Sequence, residues 1–107
     1  MTTKTIQNIG QTEVIIYQCP NAKTSTLSRV SISNTSDSEI TFDIAYYNSS
    51  DDNTVYLIKN GKLDTGQNHL SISSSNTLSI EANDYISVIS TIDSSIDAII
   101  TYSEADV

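Results

Sequence analysis

The stretch Thr77 to Val88, T-L-S-I-E-A-N-D-Y-I-S-V, constrains this chain more than any other. Leu78 and Ile80 alternate with Ser79 and Glu81, and Ile86 and Val88 alternate with Ser87. Between them lies the polar corner Ala82-Asn83-Asp84. A period of two on both sides of a short polar break predicts two half-buried strands joined by a tight reversal. The same grammar runs through almost the whole sequence.

A pass along the chain predicts about eight or nine strands. The first runs from Thr5 to Ile9 and the second from Glu13 to Cys19, closed by Pro20. After a loop to Thr24, Ser25 to Asn34 alternates Ser28, Val30 and Ile32 against Arg29, Ser31 and Ser33. Asn34 to Ser38 reads as a turn, because short polar side chains bond their own backbone there. Glu39 to Asn48 puts Ile40, Phe42, Ile44 and Tyr46 on one face and Thr41, Asp43, Ala45 and Tyr47 on the other.

Ser49 to Asn53 is an acidic loop, and Thr54 to Lys59 is the next strand. Asn60-Gly61 reads as a type I′ hairpin turn, followed by a short return strand. The loop Asp64 to Gln67 leads to strands at His69 to Ser73, Thr77 to Glu81, Asp84 to Thr91 and Ser95 to Ser103. The acidic tail from Glu104 to Val107 is expected to fray. Strands at this spacing predict an all-β fold: one antiparallel β-sandwich, jelly-roll or Greek-key (Ig-like), filling residues 1–107 as a single domain.

Composition agrees. Hydrophobic residues make up 37% of the chain and charged residues only 17%, too few long charged side chains for helix surfaces. Isoleucine leads the apolar set, and its branched Cβ suits a pleated surface.

The net charge of -8 narrows the partners. Such a surface repels phosphate backbones and anionic lipid, so neither nucleic acid nor a membrane is expected to bind. Arg29 is the lone arginine, and Lys4, Lys23, Lys59 and Lys62 make no basic patch. Cys19 is the one cysteine, so no intrachain disulfide is expected. The start of the chain carries no apolar signal core, and the sequons at Asn34 and Asn48 are expected to be chance in a Ser/Thr-rich sequence.

Catalytic, cofactor and metal sites are not expected. Gly10, Gly61 and Gly66 are the only glycines, which leaves no phosphate-cradling loop and no nucleophile elbow. His69 is the single histidine and reads as an ordinary strand or loop residue. Cys19 lacks the cationic neighbourhood that lowers a thiol pKa and reads as a buried strand-end residue. Asp51-Asp52-Asn53 and the pair Asp93 and Asp97 read as solvated turns, without the spacing of a Ca²⁺ loop.

Three segments are apolar on both faces: Val14-Ile15-Ile16-Tyr17, Val55-Tyr56-Leu57-Ile58 and Ile99-Ile100. A sandwich sheet normally keeps one face wet, so these segments predict cover by a loop or a neighbouring subunit. Tyr17, Tyr47, Tyr56 and Ile58 are the candidate interface residues, since rigid amphipathic tyrosine is favoured at interfaces. Tyr47 beside Asp43 also raises the alternative of a carbohydrate-binding module for host adsorption.

The order of segments resembles small β-sandwich virion proteins of tailed bacteriophages, of the marine and cyanobacterial phage type. The resemblance lies in the corner Ile16-Tyr17-Gln18-Cys19-Pro20, the strand and turn Ser31 to Ser36, the alternating strand Ile40 to Tyr47, Leu78 to Val88, and the strand Asp97 to Tyr102. It spans roughly Ile15 to Tyr102. Asn83 stands where the pattern usually has glycine, and Asn tolerates a left-handed backbone. The resemblance implies a structural protein without turnover, most simply a capsid decoration (cement) protein docking as an oligomer. Neck, tail, baseplate or fibre accessory is the near alternative. The implied partners are other virion proteins, and the implied location is the virion, after synthesis in host bacterial cytoplasm.

Overall fold

The computed structural model describes residues 1–106. Nine strands appear: β1 (Thr2–Ile9), β2 (Val14–Gln18), β3 (Lys23–Asn34), β4 (Ile40–Asn48), β5 (Asn53–Leu63), β6 (Asn68–Ile72), β7 (Leu78–Ile80), β8 (Tyr85–Ser90) and β9 (Ile96–Asp106). No helix occurs among the described residues.

The strands nest like one long folded hairpin. β4 pairs β5, β3 pairs β6 and β7, β2 pairs β8, and β1 pairs β9, all antiparallel. Pairing of β3 with β9 and of β4 with β8 then joins these arms into two sheets. The first sheet runs β1-β9-β3-β6, with β7 also on β3, and the second runs β2-β8-β4-β5. This is the jelly-roll arrangement of a β-sandwich. β6 and β7 are one edge strand interrupted at residues 73–77, where Ser73 and Asn76 form an isolated bridge.

One core lies between the sheets. Ile16, Leu27, Ile32, Phe42, Ile44 and Ile86 are among its fully buried members. The face predicted for β4 holds: Ile40, Phe42 and Ile44 are buried, and Tyr46 packs at the margin of the core. Cys19 is buried at the end of β2, as expected. His69 lies in β6 with its ring centroid 5.4 Å from that of Phe42.

The turn after β3 is built as its residues predict. Buried Asn34 donates through Nδ2 to the carbonyls of Ser38 (2.8 Å) and Leu63 (2.9 Å), and its Oδ1 accepts from the Ser36 amide and hydroxyl. Asn83 holds a φ of 70°, so the corner of the 77–88 stretch is left-handed without glycine.

The structure corrects three expectations. Asn60-Gly61 is not a hairpin turn; it lies inside β5, which runs unbroken to Leu63. Phe42 faces Gly61 and Ile44 faces Ile58, so β5 carries an extra residue there, a β-bulge with Asn60 at φ 56°. A Cβ at position 61 would stand 2.6 Å from Ile58 Cδ1 and 2.9 Å from Phe42 Cζ, so any larger residue forces these side chains to move. The tail is not frayed through residue 106: Glu104, Ala105 and Asp106 pair with Ser25, Thr24 and Lys23. Lys23 Nζ closes that end on Asp106 Oδ1 at 2.7 Å. Val107 lies outside the described residues. Finally, Ser28 does not alternate inward with Val30; it sits where the β3–β9 register shifts, so the buried side chains are Leu27 and then Val30.

Candidate functional site

The outer face of the second sheet carries a cleft between its strands. Register across β2, β8, β4 and β5 sets Ile15 beside Ser87, Ser87 beside Ala45, and Ala45 beside Tyr56. Across the sheet the row therefore reads large, small, small, large. Ile15 and Tyr56 are 45% and 47% exposed, while Ser87 and Ala45 between them are buried at 1% and 4%. The result is a trough with a small-residue floor and two raised sides.

The rows on either side close the trough. At one end Tyr85 pairs with Tyr47, and their rings stack with centroids 4.8 Å apart. The Tyr47 hydroxyl donates to Asp52 Oδ1 at 2.6 Å, and this bond together with partial burial raises its pKa. At the other end Ile89 pairs with Asp43. Asp43 accepts from the Asn60 amide at 2.8 Å and from Lys59 Nζ at 3.1 Å, so the β5 bulge orients this carboxylate. Lys59 Nζ also lies 4.4 Å over the Tyr56 ring. From β2 side, Glu13 accepts the Ser87 hydroxyl at 2.8 Å. A cleft of about 240 Å³ results, lined by Glu13, Asp43, Ala45, Tyr56, Ser87 and Ile89.

The four residues expected at an interface fall in different places. Tyr17 turns inward and is 4% exposed, so it offers no surface to a partner. Its hydroxyl lies 2.6 Å from both Ser25 Oγ and Glu104 Oε2. The cause is local: the β2–β8 register shifts between Ile15 and Tyr17, which lets Ile16 and Tyr17 both bury. Ile58 is half-buried against the core. Tyr47 and Tyr56 share the outer face of the second sheet. Val55 and Leu57 are exposed beside Tyr56 along β5, the free edge of that sheet.

The two-sided apolarity has a mixed outcome. Ile100 is buried while Ile99 is 40% exposed on the outer face of the first sheet. There Ile99 and Leu70 flank Ser31. Sequence reasoning did not single out Glu13, Ala45, Tyr85, Ser87 or Ile89 for the trough. The signal for three of them was the outward phase of β8, Tyr85-x-Ser87-x-Ile89, opposite buried Ile86 and Val88.

Asp93 lies in the turn expected of it, whereas Asp97 lies in β9. Asp93 Oδ1 accepts the Gln11 amide, and Asp97 Oδ1 accepts the Asn8 amide, both at 3.1 Å. Among the described residues no group of three His, Cys, Asp or Glu side chains is placed to hold a metal ion. Compared with known proteins, the chain matches no family model, no curated protein and no solved structure.

Proposed function

We propose that this protein is a structural component of a tailed-phage particle, a capsid decoration protein that docks onto the head as an oligomer. The observation that carries the reading is the free edge of β5. Val55, Tyr56 and Leu57 are exposed in succession, at 50%, 47% and 38%, on a strand that among the described residues pairs with no strand on its outer side. An edge strand presents unpaired backbone groups, and proteins ordinarily blunt it with charge or bulges. Here the charges of Lys59 and Lys62 and the bulge at Lys59-Asn60 lie in the second half of β5, and a second register shift leaves Leu57 as an extra residue within the apolar run. Val55, Tyr56 and Leu57 carry no charge and form a short exposed apolar patch suited to side-by-side packing.

The jelly roll supports the same reading by supplying a rigid sandwich with few long loops. A neck, tail, baseplate or fibre accessory role uses the same surface at lower copy number. The test is the copy number of this chain per purified particle, by quantitative mass spectrometry against the major capsid protein. Copies comparable to the capsid protein are expected. A reproducible level far below it moves the protein to the neck or tail, and absence from particles ends the reading.

A further inference from the structure

We infer that the trough on the outer face of the second sheet is a binding site for a neutral pyranose. The site shares Tyr56 with the β5 edge, but it is tested on the free protein and so holds or fails separately from the docking role.

The first argument is shape. Ser87 and Ala45 form a floor on which large side chains are absent, and Ile15, Tyr56 and Ile89 rise around it. A cleft of 240 Å³ has the size for one sugar ring and not for an extended cofactor. Its open top suits a ring at the end of a glycan.

The second is chemistry. A pyranose has an apolar face of C–H groups and a rim of hydroxyls. The electron-rich face of an aromatic ring attracts weakly positive C–H groups. Tyr56 supplies such a ring beside the cleft. Lys59 Nζ, bonded to Asp43, covers one face of this ring 4.4 Å from its centroid, so the inferred pyranose stacks on the opposite face. Carboxylates accept hydrogen bonds from hydroxyls and make strong ones. Glu13 and Asp43 supply these acceptors, and each is already oriented by one or more protein donors, Glu13 by Ser87 and Asp43 by Asn60 and Lys59. A site oriented before the ligand arrives loses less entropy on binding.

The third is charge. Lys59 offsets the charge of Asp43, but Glu13 in the lining and the net charge of -8 on the chain together disfavour an anionic sugar. The ligand class is therefore a neutral hexopyranoside, not a uronate, a sialic acid or a sugar phosphate.

The experiment is an amide chemical-shift titration of the ¹⁵N-labelled protein in the millimolar range, paired with saturation-transfer NMR. The probes are methyl β-galactopyranoside, methyl β-glucopyranoside and, as the charged control, methyl β-glucuronide. At least one neutral glycoside is expected to shift the amides of Glu13, Ala45, Tyr56 and Ser87 and to receive saturation on its ring C–H protons, while the glucuronide does neither. Tyr56→Ala should weaken binding about tenfold, the loss of roughly 1.4 kcal/mol. Ala45→Val, which fills the floor with a residue that suits a strand, should abolish it without removing any proposed contact.

Absence of shifts with both neutral glycosides overturns the inference. So do shifts confined to another surface, equal binding of the glucuronide, or undiminished binding by folded Ala45→Val. The shift map of the wild-type protein decides the question even if a variant fails to fold. Particle copy number is unaffected by any of these results.

Discussion

Tyr46 donates its hydroxyl to Asp84 Oδ2 across 2.6 Å, joining the outer end of β4 to the corner before β8. Asp84 is 2% exposed, and its carboxylate gathers that whole end of the sandwich. It also accepts the Ser49 amide and the Glu81 amide, both at 2.9 Å, and the Ser49 hydroxyl at 3.1 Å. Burial alone would raise its pKa. The bonds from Tyr46, Ser49 and Glu81 outweigh burial and hold the carboxyl below the ordinary aspartate range.

Asp84→Ala should therefore be one of the most damaging single changes outside the core. It orphans two backbone amides and the Tyr46 hydroxyl, and each buried unsatisfied group costs about 1–3 kcal/mol. A loss of about 3 kcal/mol or more is expected in urea denaturation, with the slope of the transition unchanged. The pH dependence has a definite sign. A carboxyl with a depressed folded pKa stabilises in full above its unfolded value, about 3.9, and the contribution fades as pH falls through the folded value beneath it. The wild-type denaturation midpoint should drop on that acid limb, and Asp84→Asn should flatten the drop.

Two tyrosines set the alkaline limit. Burial, then hydrogen bonding to Glu104, raises the pKa of Tyr17, and burial with the Asp84 bond does the same for Tyr46. A raised folded pKa means stability that is complete below the unfolded value, about 10, and is lost as pH climbs toward the folded one. In an absorbance titration at the tyrosinate band, Tyr17 and Tyr46 should ionise together with loss of the folded circular-dichroism signal. Tyr46→Phe should remove one ionisation from that late step. Smooth ionisation of all six tyrosines before any unfolding would contradict this.

The Asn60-Gly61 pair separates backbone freedom from packing. Asn60 carries the left-handed φ of 56°, whereas Gly61 is pressed against Phe42 and Ile58. Gly61→Ala should thus destabilise by about 1–3 kcal/mol through overpacking, despite the modest change in size. Asn60→Gly keeps the amide bond to Asp43 and relieves a left-handed non-glycine residue, so it should be neutral or mildly stabilising. Thermal unfolding of the two variants measures the contrast, and equal effects would mean that the bulge is not held by the Phe42 contact.

This bulge also marks where the sequence stops being readable. Asn-Gly signals a left-handed backbone, and that much is correct. A hairpin turn and a bulge use the same backbone, and only pairing with Phe42 and Ile44 on a distant strand chooses between them. The inward phase of β4, the Asn34 turn and the Asn83 corner were legible because residues within a few positions announce them, although Asn34 also reaches the distant Leu63 carbonyl. The trough was not, since Ala45 meets Tyr56 and Ser87 only after bulges have set the register of β5 and β2. Tyr17 shows the same limit: its burial follows from a register shift that its own alternation does not announce.

The chain end offers a test of the extended β9. Glu104 receives the buried Tyr17 hydroxyl, and Lys23 meets Asp106 at the end of the β3–β9 ladder. The Lys23–Asp106 bridge is exposed and contributes little. Loss of the Glu104 acceptor is different, because Tyr17 Oη then keeps only Ser25. Ending the chain after Ser103 should cost about 1–2 kcal/mol and free Tyr17 to ionise earlier in the alkaline titration. No change in either measurement would mean that the last residues contribute nothing to the ladder.

The apolar run of β5 gives the docking proposal its mutational form. Val55 and Leu57 are exposed and support neither the core nor the trough floor, so the double variant Val55→Lys, Leu57→Lys should fold with a transition within about 0.5 kcal/mol of wild type. Lysines on an edge strand oppose strand addition and carry a desolvation cost into any dry contact. Incorporation of the variant into particles, measured against wild-type protein in the same preparation, should fall by tenfold or more, about 1.4 kcal/mol of lost association energy. The glycoside titration of the same variant should be unchanged, because Tyr56, Ala45 and Ser87 keep their places. Normal incorporation would move the docking surface away from β5, leaving the Ile99 and Leu70 face of the first sheet as the next exposed apolar surface.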